Sequence, residues 1–170
     1  MRSIKGLFTI VFLIVVMGLG SGRPVTAFDG SAADVSAEIH TNPNDGDIDF
    51  RSLRLFLTLK QCQSPLTVYY DDFLAAADLW NIDWKLLPAI TGLESVFGKR
   101  MVTGTHNAYG WAGGYQGFKS WRESIFYVSG KLKKNYYGRG LTDPYKIGPV
   151  YAPPNPNWGR LVASIMTKFE

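Results

Sequence analysis

From Ser64 onward, apolar residues recur at intervals of three and four, interrupted by short polar clusters. This is the pattern of several short amphipathic helices. Ser64-Pro65 reads as a cap followed by a first-turn proline. The helix it opens carries Val68, Tyr69, Phe73, Ala76, Ala77 and Trp80 on one face and stops at Asn81. Asp83 caps a second, almost wholly apolar segment, regular from about Leu87 to Val96, with Gly98 as its C-terminal cap. Ser120-Trp121-Arg122-Glu123 is a capping box opening a helix to about Tyr136, with Ile125, Phe126, Val128 and Leu132 inward. Asp143-Pro144 opens a short helix, and Asn155-Pro156 a last one through Leu161, Val162, Ile165 and Met166. Residues 50–60 fit two periods. Leu53, Leu55, Leu57 and Leu59 alternate as in a strand, whereas Phe50, Leu53, Phe56, Leu57 and Lys60 share a helical face; helix is the expectation. The domain is therefore mainly α, and Trp80, Trp84, Trp121 and Trp158 fall at core spacings.

The first 27 residues follow a different pattern. Arg2 and Lys5 precede an apolar run, Gly6 to Gly18, and Val25-Thr26-Ala27 offers a small-residue cleavage site. The run is shorter than the ~20 residues that span a bilayer, so a removed signal peptide is expected, with an uncleaved anchor as the alternative. No later segment resembles a membrane span. Residues 28–49 are polar and acidic and read as a disordered linker, leaving 50–170 as one domain. His40 lies in the linker as an ordinary surface residue. Cys62 is the only cysteine, so an exported chain would have no internal disulfide. It reads as a small buried apolar residue rather than a nucleophile, because neither histidine is near it.

Charge divides at the same boundary. Residues 28–50 hold six acids and no Lys or Arg, whereas residues 51–170 hold fifteen Lys and Arg against eight Asp and Glu, a net of +7. A basic body suits an anionic polymer or surface. Nucleic acid is not expected, since the chain reads as exported and carries no nucleic-acid module. A generic solvated surface remains the plain alternative.

Glu94 is the only carboxylate between Asp83 and Glu123, and it closes a stretch that otherwise reads as a buried apolar helix. Charge among apolar neighbours is costly unless paired or neutralised. The sequence leaves two roles open: an ion-paired group held by Lys99 or Arg100, or a proton donor lining a cleft. A loop of about twenty residues follows, with six glycines or aromatics between Tyr109 and Tyr115. Long ordered loops in compact domains are usually functional, and a short hairpin is expected within this one. Trp111, Tyr115 and Phe118 offer flat rings for the apolar faces of sugars. Asn107 would either bond an acetamido group or fix the turn. His106 has no second His or Cys nearby, so no metal is expected, and no phosphate loop or other cofactor motif is present.

The run Leu93-Glu94-Ser95-Val96-Phe97-Gly98-Lys99-Arg100, followed by Asn107-Ala108-Tyr109-Gly110-Trp111, resembles the signature of bacterial glucosaminidase-type peptidoglycan hydrolases. These are mannosyl-glycoprotein endo-β-N-acetylglucosaminidase-like domains of the lysozyme-like superfamily, related to soluble lytic transglycosylases. Asp83 to Ile90 fits the same lead-in, and Tyr151-Ala152 with Asn155-Pro156-Asn157-Trp158 is similar to the segment before the family's last helix. The resemblance covers about residues 64–169. The chain departs from it at Val96 and Trp111, and an expected Asp beside Tyr151-Ala152 is absent. The resemblance implies a lysozyme-like domain whose long loop lines the cleft. It implies Glu94 as general acid, with Tyr151 assisting and Tyr109 behind it. Ser95, Phe97, Asn107, Tyr109, Trp111 and Tyr115 are the implied substrate-side residues.

Glycosidases commonly use two carboxylates. Glu123 and Asp143 already have capping roles, so substrate assistance by an N-acetyl group, or by a tyrosine, is the alternative to a second acid. The expected function is an exported, monomeric peptidoglycan hydrolase cleaving β-1,4 bonds of an N-acetylated glycan, of endo-β-N-acetylglucosaminidase type. A muramidase or lytic transglycosylase, or a non-catalytic wall-binding module, are the other readings.

Overall fold

The computed structural model describes residues 49–170, so the expected signal peptide and all but Asp49 of the expected linker lie outside the described residues. Six α-helices follow in order: α1 (Phe50–Gln61), α2 (Tyr70–Trp80), α3 (Leu86–Ser95), α4 (Trp121–Asn135), α5 (Pro144–Tyr151) and α6 (Trp158–Met166). Short 3₁₀ turns stand at Thr67–Tyr69, Trp111–Gly114, Tyr137–Arg139 and Thr167–Phe169. The domain is mainly helical, with no strand among the described residues. The hairpin expected in the long loop is therefore replaced by turns. Gly110, Ala112, Gly113 and Gly114 all have positive φ, a run that no extended ladder accommodates. No described helix is long and apolar enough to cross a membrane.

Helix α1 forms as expected but presents another face. Its buried stripe is Ser52, Leu55, Thr58 and Leu59, while Phe50 and Leu57 are exposed. Two polar anchors set this rotation. Asp49 caps the helix by accepting from the Arg51 N–H, and the Thr58 hydroxyl donates to the Lys168 carbonyl at 3.0 Å. Asp49 and Asp78 together hold the Arg51 guanidinium.

Helix α2 starts six residues after Ser64, because Ser64 has another task. Its hydroxyl accepts from the Leu66 N–H and donates to the Phe97 carbonyl at 2.8 Å, tying this turn to the segment beyond Glu94. Val68 is consequently exposed, and Trp80 partly so; Tyr70, Phe73, Leu74, Ala76 and Ala77 form the buried stripe. Asn81, in left-handed conformation, ends the helix as expected.

The core gathers around α3, whose Leu86, Leu87, Ala89 and Ile90 are buried with Phe73, Ile125, Leu132, Ile147 and Trp158. Helix α4 is capped by the Ser120 hydroxyl, which accepts from the Glu123 N–H at 3.1 Å. The Glu123 carboxylate accepts from the Lys119 N–H, one residue earlier than a strict capping box. Helices α5 and α6 touch backbone to backbone. A Cβ on Gly159 would lie 2.7 Å from the Pro144 carbonyl oxygen, and one on Gly148 would lie 3.1 Å from the Gly159 nitrogen. That close approach, which only glycine permits, fixes where Trp158 enters the core. Trp84 packs edge-on against Phe169, Trp121 edge-on against His106, and Trp80 lies over Gly130.

Candidate active site

Glu94 is the penultimate residue of α3, and the way this helix stops determines where its carboxylate points. The cap is Val96, two residues before the expected Gly98, and Val96, Phe97 and Gly98 are left-handed in succession (φ 52, 57 and 81°). A β-branched residue in that region is strained by roughly 1–2 kcal/mol. Packing holds it there. The buried Ser95 hydroxyl accepts from the Gly98 N–H at 2.8 Å and donates toward the Ala108 or Thr91 carbonyls at 2.8 and 3.0 Å. The Phe97 ring lies on Gly92, where a Cβ would come within 2.8 Å. Phe97, implied as a substrate-side residue, is buried and serves this turn instead, whereas Ser95, also buried, both braces the turn and lines the cleft.

The Glu94 carboxylate touches two things. The Trp158 indole N–H donates to its Oε1 at 2.8 Å. Below Oε2 lies Gly110, so close that a Cβ there would be 2.7 Å away, and Gly110 has φ +66°. Neither basic neighbour pairs with it among the described residues: Lys99 Nζ donates to the Cys62 carbonyl at 2.7 Å, and Arg100 forms no ion pair with a described residue. The ion-paired role for Glu94 is thereby set aside. The side chain is exposed to the cleft on one side and backed by indole and backbone on the other. The protein packed behind it pushes the carboxyl pKa above the ordinary value, and the Trp158 hydrogen bond partly opposes that shift.

Trp158 is held in turn by Tyr151, whose ring stacks on it with centroids 4.8 Å apart. The Tyr151 hydroxyl donates to the Tyr109 carbonyl at 2.6 Å. Burial raises its pKa well above the ordinary tyrosine value, and the nearby Glu94 charge adds to the rise. Tyr151 thus positions the indole and also lines the smaller cavity beside the cleft, with its hydroxyl turned to the Tyr109 carbonyl.

The substrate-side set divides. Tyr109 is wholly buried with its hydroxyl 3.3 Å from Ser124 Oγ, and is corrected to a core residue. Asn107 is the loop's organiser: its side-chain amide donates to the Trp111 and Gln116 carbonyls at 2.8 and 3.0 Å and its oxygen accepts from the Trp111 N–H at 3.1 Å. Trp111 reaches the cleft region, edge-on to Tyr151, and lines a cavity of about 240 Å³ with Gly110, Ala112, Gly113, Tyr136 and Tyr151. Tyr115 is 80% exposed and outside both cavity linings. Phe118 is buried. Asp143 caps α5 through the Lys146 N–H, and both it and Glu123 are absent from the cleft lining. Cys62 is half-buried at the end of α1, and His106 Nδ1 lies 2.9 Å from the Phe118 carbonyl. No group of three potential metal ligands occurs among the described residues.

Glu94 opens onto a cleft of about 630 Å³ lined by Ser95, Arg100, Met101, Val102, Asn107, Gly110, Gly113 and Gly114. That volume lies within the range of ligand sites. Two contributors were not legible as functional beforehand. Trp158 read as packing, although a buried indole N–H requires an acceptor and this could have linked it to a nearby carboxylate. Gly110 read as loop composition, with nothing in the chain announcing a carboxylate above it.

No family model, no curated protein and no solved structure matches the chain.

Proposed function

We propose that this protein is an exported glycoside hydrolase with a lysozyme-like domain, cleaving β-1,4 bonds in the glycan of peptidoglycan with Glu94 as general acid. One observation carries the reading: an open cleft whose single carboxylate, among the described residues, is oriented by an indole N–H and free of any cation. A carboxyl whose ionised form is disfavoured keeps its proton nearer neutral pH, which is what departure of a sugar hydroxyl requires.

In the first step Glu94 gives its proton to the glycosidic oxygen as the anomeric C–O bond breaks. No second carboxylate lines the cleft among the described residues, which favours assistance by the substrate's own acetamido oxygen, forming a bond to the anomeric carbon. Water then displaces that oxygen, and the Glu94 carboxylate takes the water's proton, restoring the acid and leaving a reducing end. The single-carboxylate cleft supports the lytic transglycosylase reading by the same logic, with the sugar's own 6-hydroxyl in place of water and a 1,6-anhydro product. Trp111 and the smaller cavity beside it offer a surface for a neighbouring sugar ring. The polymer partner is an N-acetylated glycan, and no cofactor enters the chemistry.

The test is mass spectrometry of fragments released from purified sacculi by the wild-type chain and by Glu94→Gln. Fragments ending in reducing N-acetylglucosamine, absent with the variant, support the endo-β-N-acetylglucosaminidase. Reducing muramic or anhydro ends reassign the bond. Equal release by both proteins, or binding without release, overturns the enzymatic reading in favour of a wall-binding module.

A further inference from the structure

Arg100 stands out in the cleft lining once the basic residues near Glu94 are accounted for. Its neighbour Lys99 is committed to the Cys62 carbonyl, whereas Arg100 is exposed and forms no ion pair with a described residue. Its backbone is nonetheless well placed: the Arg100 N–H donates to the Ser95 carbonyl at 2.8 Å, and Ser95 itself is clasped by Gly98 and the Ala108 carbonyl. Arg100 thereby has its backbone fixed six residues beyond the acid, and both residues line the same cleft. It contributes nothing to holding the Glu94 charge, which is governed by the packing behind it and by Trp158. The rest of the lining is Ser95, Asn107, Met101, Val102 and three glycines, with no carboxylate apart from Glu94. A guanidinium in this position suits a planar, two-oxygen anion better than a neutral hydroxyl.

Resting on the glycosidase reading above, we infer that Arg100 is a specificity residue that selects a glycan bearing a carboxylate over a neutral one of the same backbone. Two sources supply that carboxylate: the lactyl ether of a muramyl residue freed of peptide, and the acids of an attached stem peptide. Both present a carboxylate beside the sugar chain, and they differ in reach.

Three probes separate the cases: chitotetraose, which is neutral; a peptide-free muramyl tetrasaccharide; and the same glycan carrying stem peptides. Calorimetric titration into the full chain carrying Glu94→Gln measures binding without turnover. At low salt, at least one anionic probe binds more tightly than chitotetraose, by on the order of three- to tenfold. That ratio shrinks as salt rises. Adding Arg100→Gln brings the ratio toward one, while Arg100→Lys retains part of it because charge persists without the planar fork. Whichever anionic probe shows the effect identifies the source. A ratio already near one in the parent, or one unchanged by Arg100→Gln, overturns the inference. Glu94-dependent cleavage of chitotetraose alongside an unchanged ratio removes this inference alone. Failure to bind or cleave any of the three removes the glycosidase reading, and this inference with it.

Discussion

Gly110→Ala isolates the geometry on which the acid depends. Two costs arise, and they can be separated. The first is backbone: at φ +66° an alanine is strained by about 1–2 kcal/mol relative to glycine. The second is steric. The new Cβ would stand 2.7 Å from Glu94 Oε2 and 3.3 Å from Cδ, so the carboxyl has to retreat by roughly 0.7 Å to reach ordinary contact near 3.4 Å. It cannot retreat freely while Trp158 holds Oε1 at 2.8 Å, so either that hydrogen bond lengthens or the loop lifts. A displacement approaching 1 Å at a reacting group costs up to ~100-fold in rate. The control is Gly140→Ala, at φ +77° with nothing within 4 Å and far along the chain from the cleft, which carries the backbone cost alone. Urea unfolding should show the shared backbone cost in both variants and a further loss from the clash only in Gly110→Ala. Glycan cleavage should fall by about 10- to 100-fold only in Gly110→Ala. Equal activity of the two at equal stability would refute the claim that Gly110 seats the carboxyl.

Other substitutions test separate links. Trp158→Phe removes the donor that opposes the rise in the Glu94 pKa, so the alkaline limb of the cleavage profile should move to higher pH; an unmoved limb would mean the indole does not reach the acid. The same change should cost about 1–3 kcal/mol in urea unfolding, from the lost hydrogen bond and the space left by the smaller ring. Val96→Gly relieves a left-handed β-branched residue that is 40% exposed and should raise stability by about 0.5–1 kcal/mol in thermal melts. Glu94 in the folded chain is harder to ionise than in the unfolded chain. Stability is therefore lost as pH rises from the ordinary carboxyl range through the raised value, and the deficit is complete above it. Glu94→Gln should accordingly be more stable than wild type at pH 7 by less than about 1 kcal/mol, with the gap closing below about pH 4.

The parts of this molecule legible in its sequence are those governed by neighbours in the chain. Ser120, Asp143 and Asn81 mark helix boundaries because a cap bonds within a few residues of itself, and each does so in the structure. Ser64 shows where such reasoning fails. Its cap pattern is present, but its hydroxyl also donates to Phe97, 33 residues away, and the α-helix is deferred to Tyr70. Helix α1 was recognised and its face was not, because the anchoring partner of Thr58 is the carbonyl of Lys168. The same distinction runs through the site. Glu94 was visible as a charge at the end of an apolar helix. Tyr109 and Phe97 share its motif, yet they are buried in the core, since an aromatic residue carries no mark of which wall it supports. Trp158 is 64 residues from the acid it bonds, and the left-handed turn at Gly110 that admits the carboxylate is a property of the folded loop.

The central claim is that the cleft carboxyl of Glu94 holds its proton to a higher pH than an ordinary glutamate. Carbon-13 NMR of the side-chain carboxyl, assigned by comparison with Glu94→Gln, measures this directly in the intact chain. The expected titration midpoint lies above the ordinary value of 4.5 and moves further up in Trp158→Phe. A midpoint at or below 4.5 would contradict it.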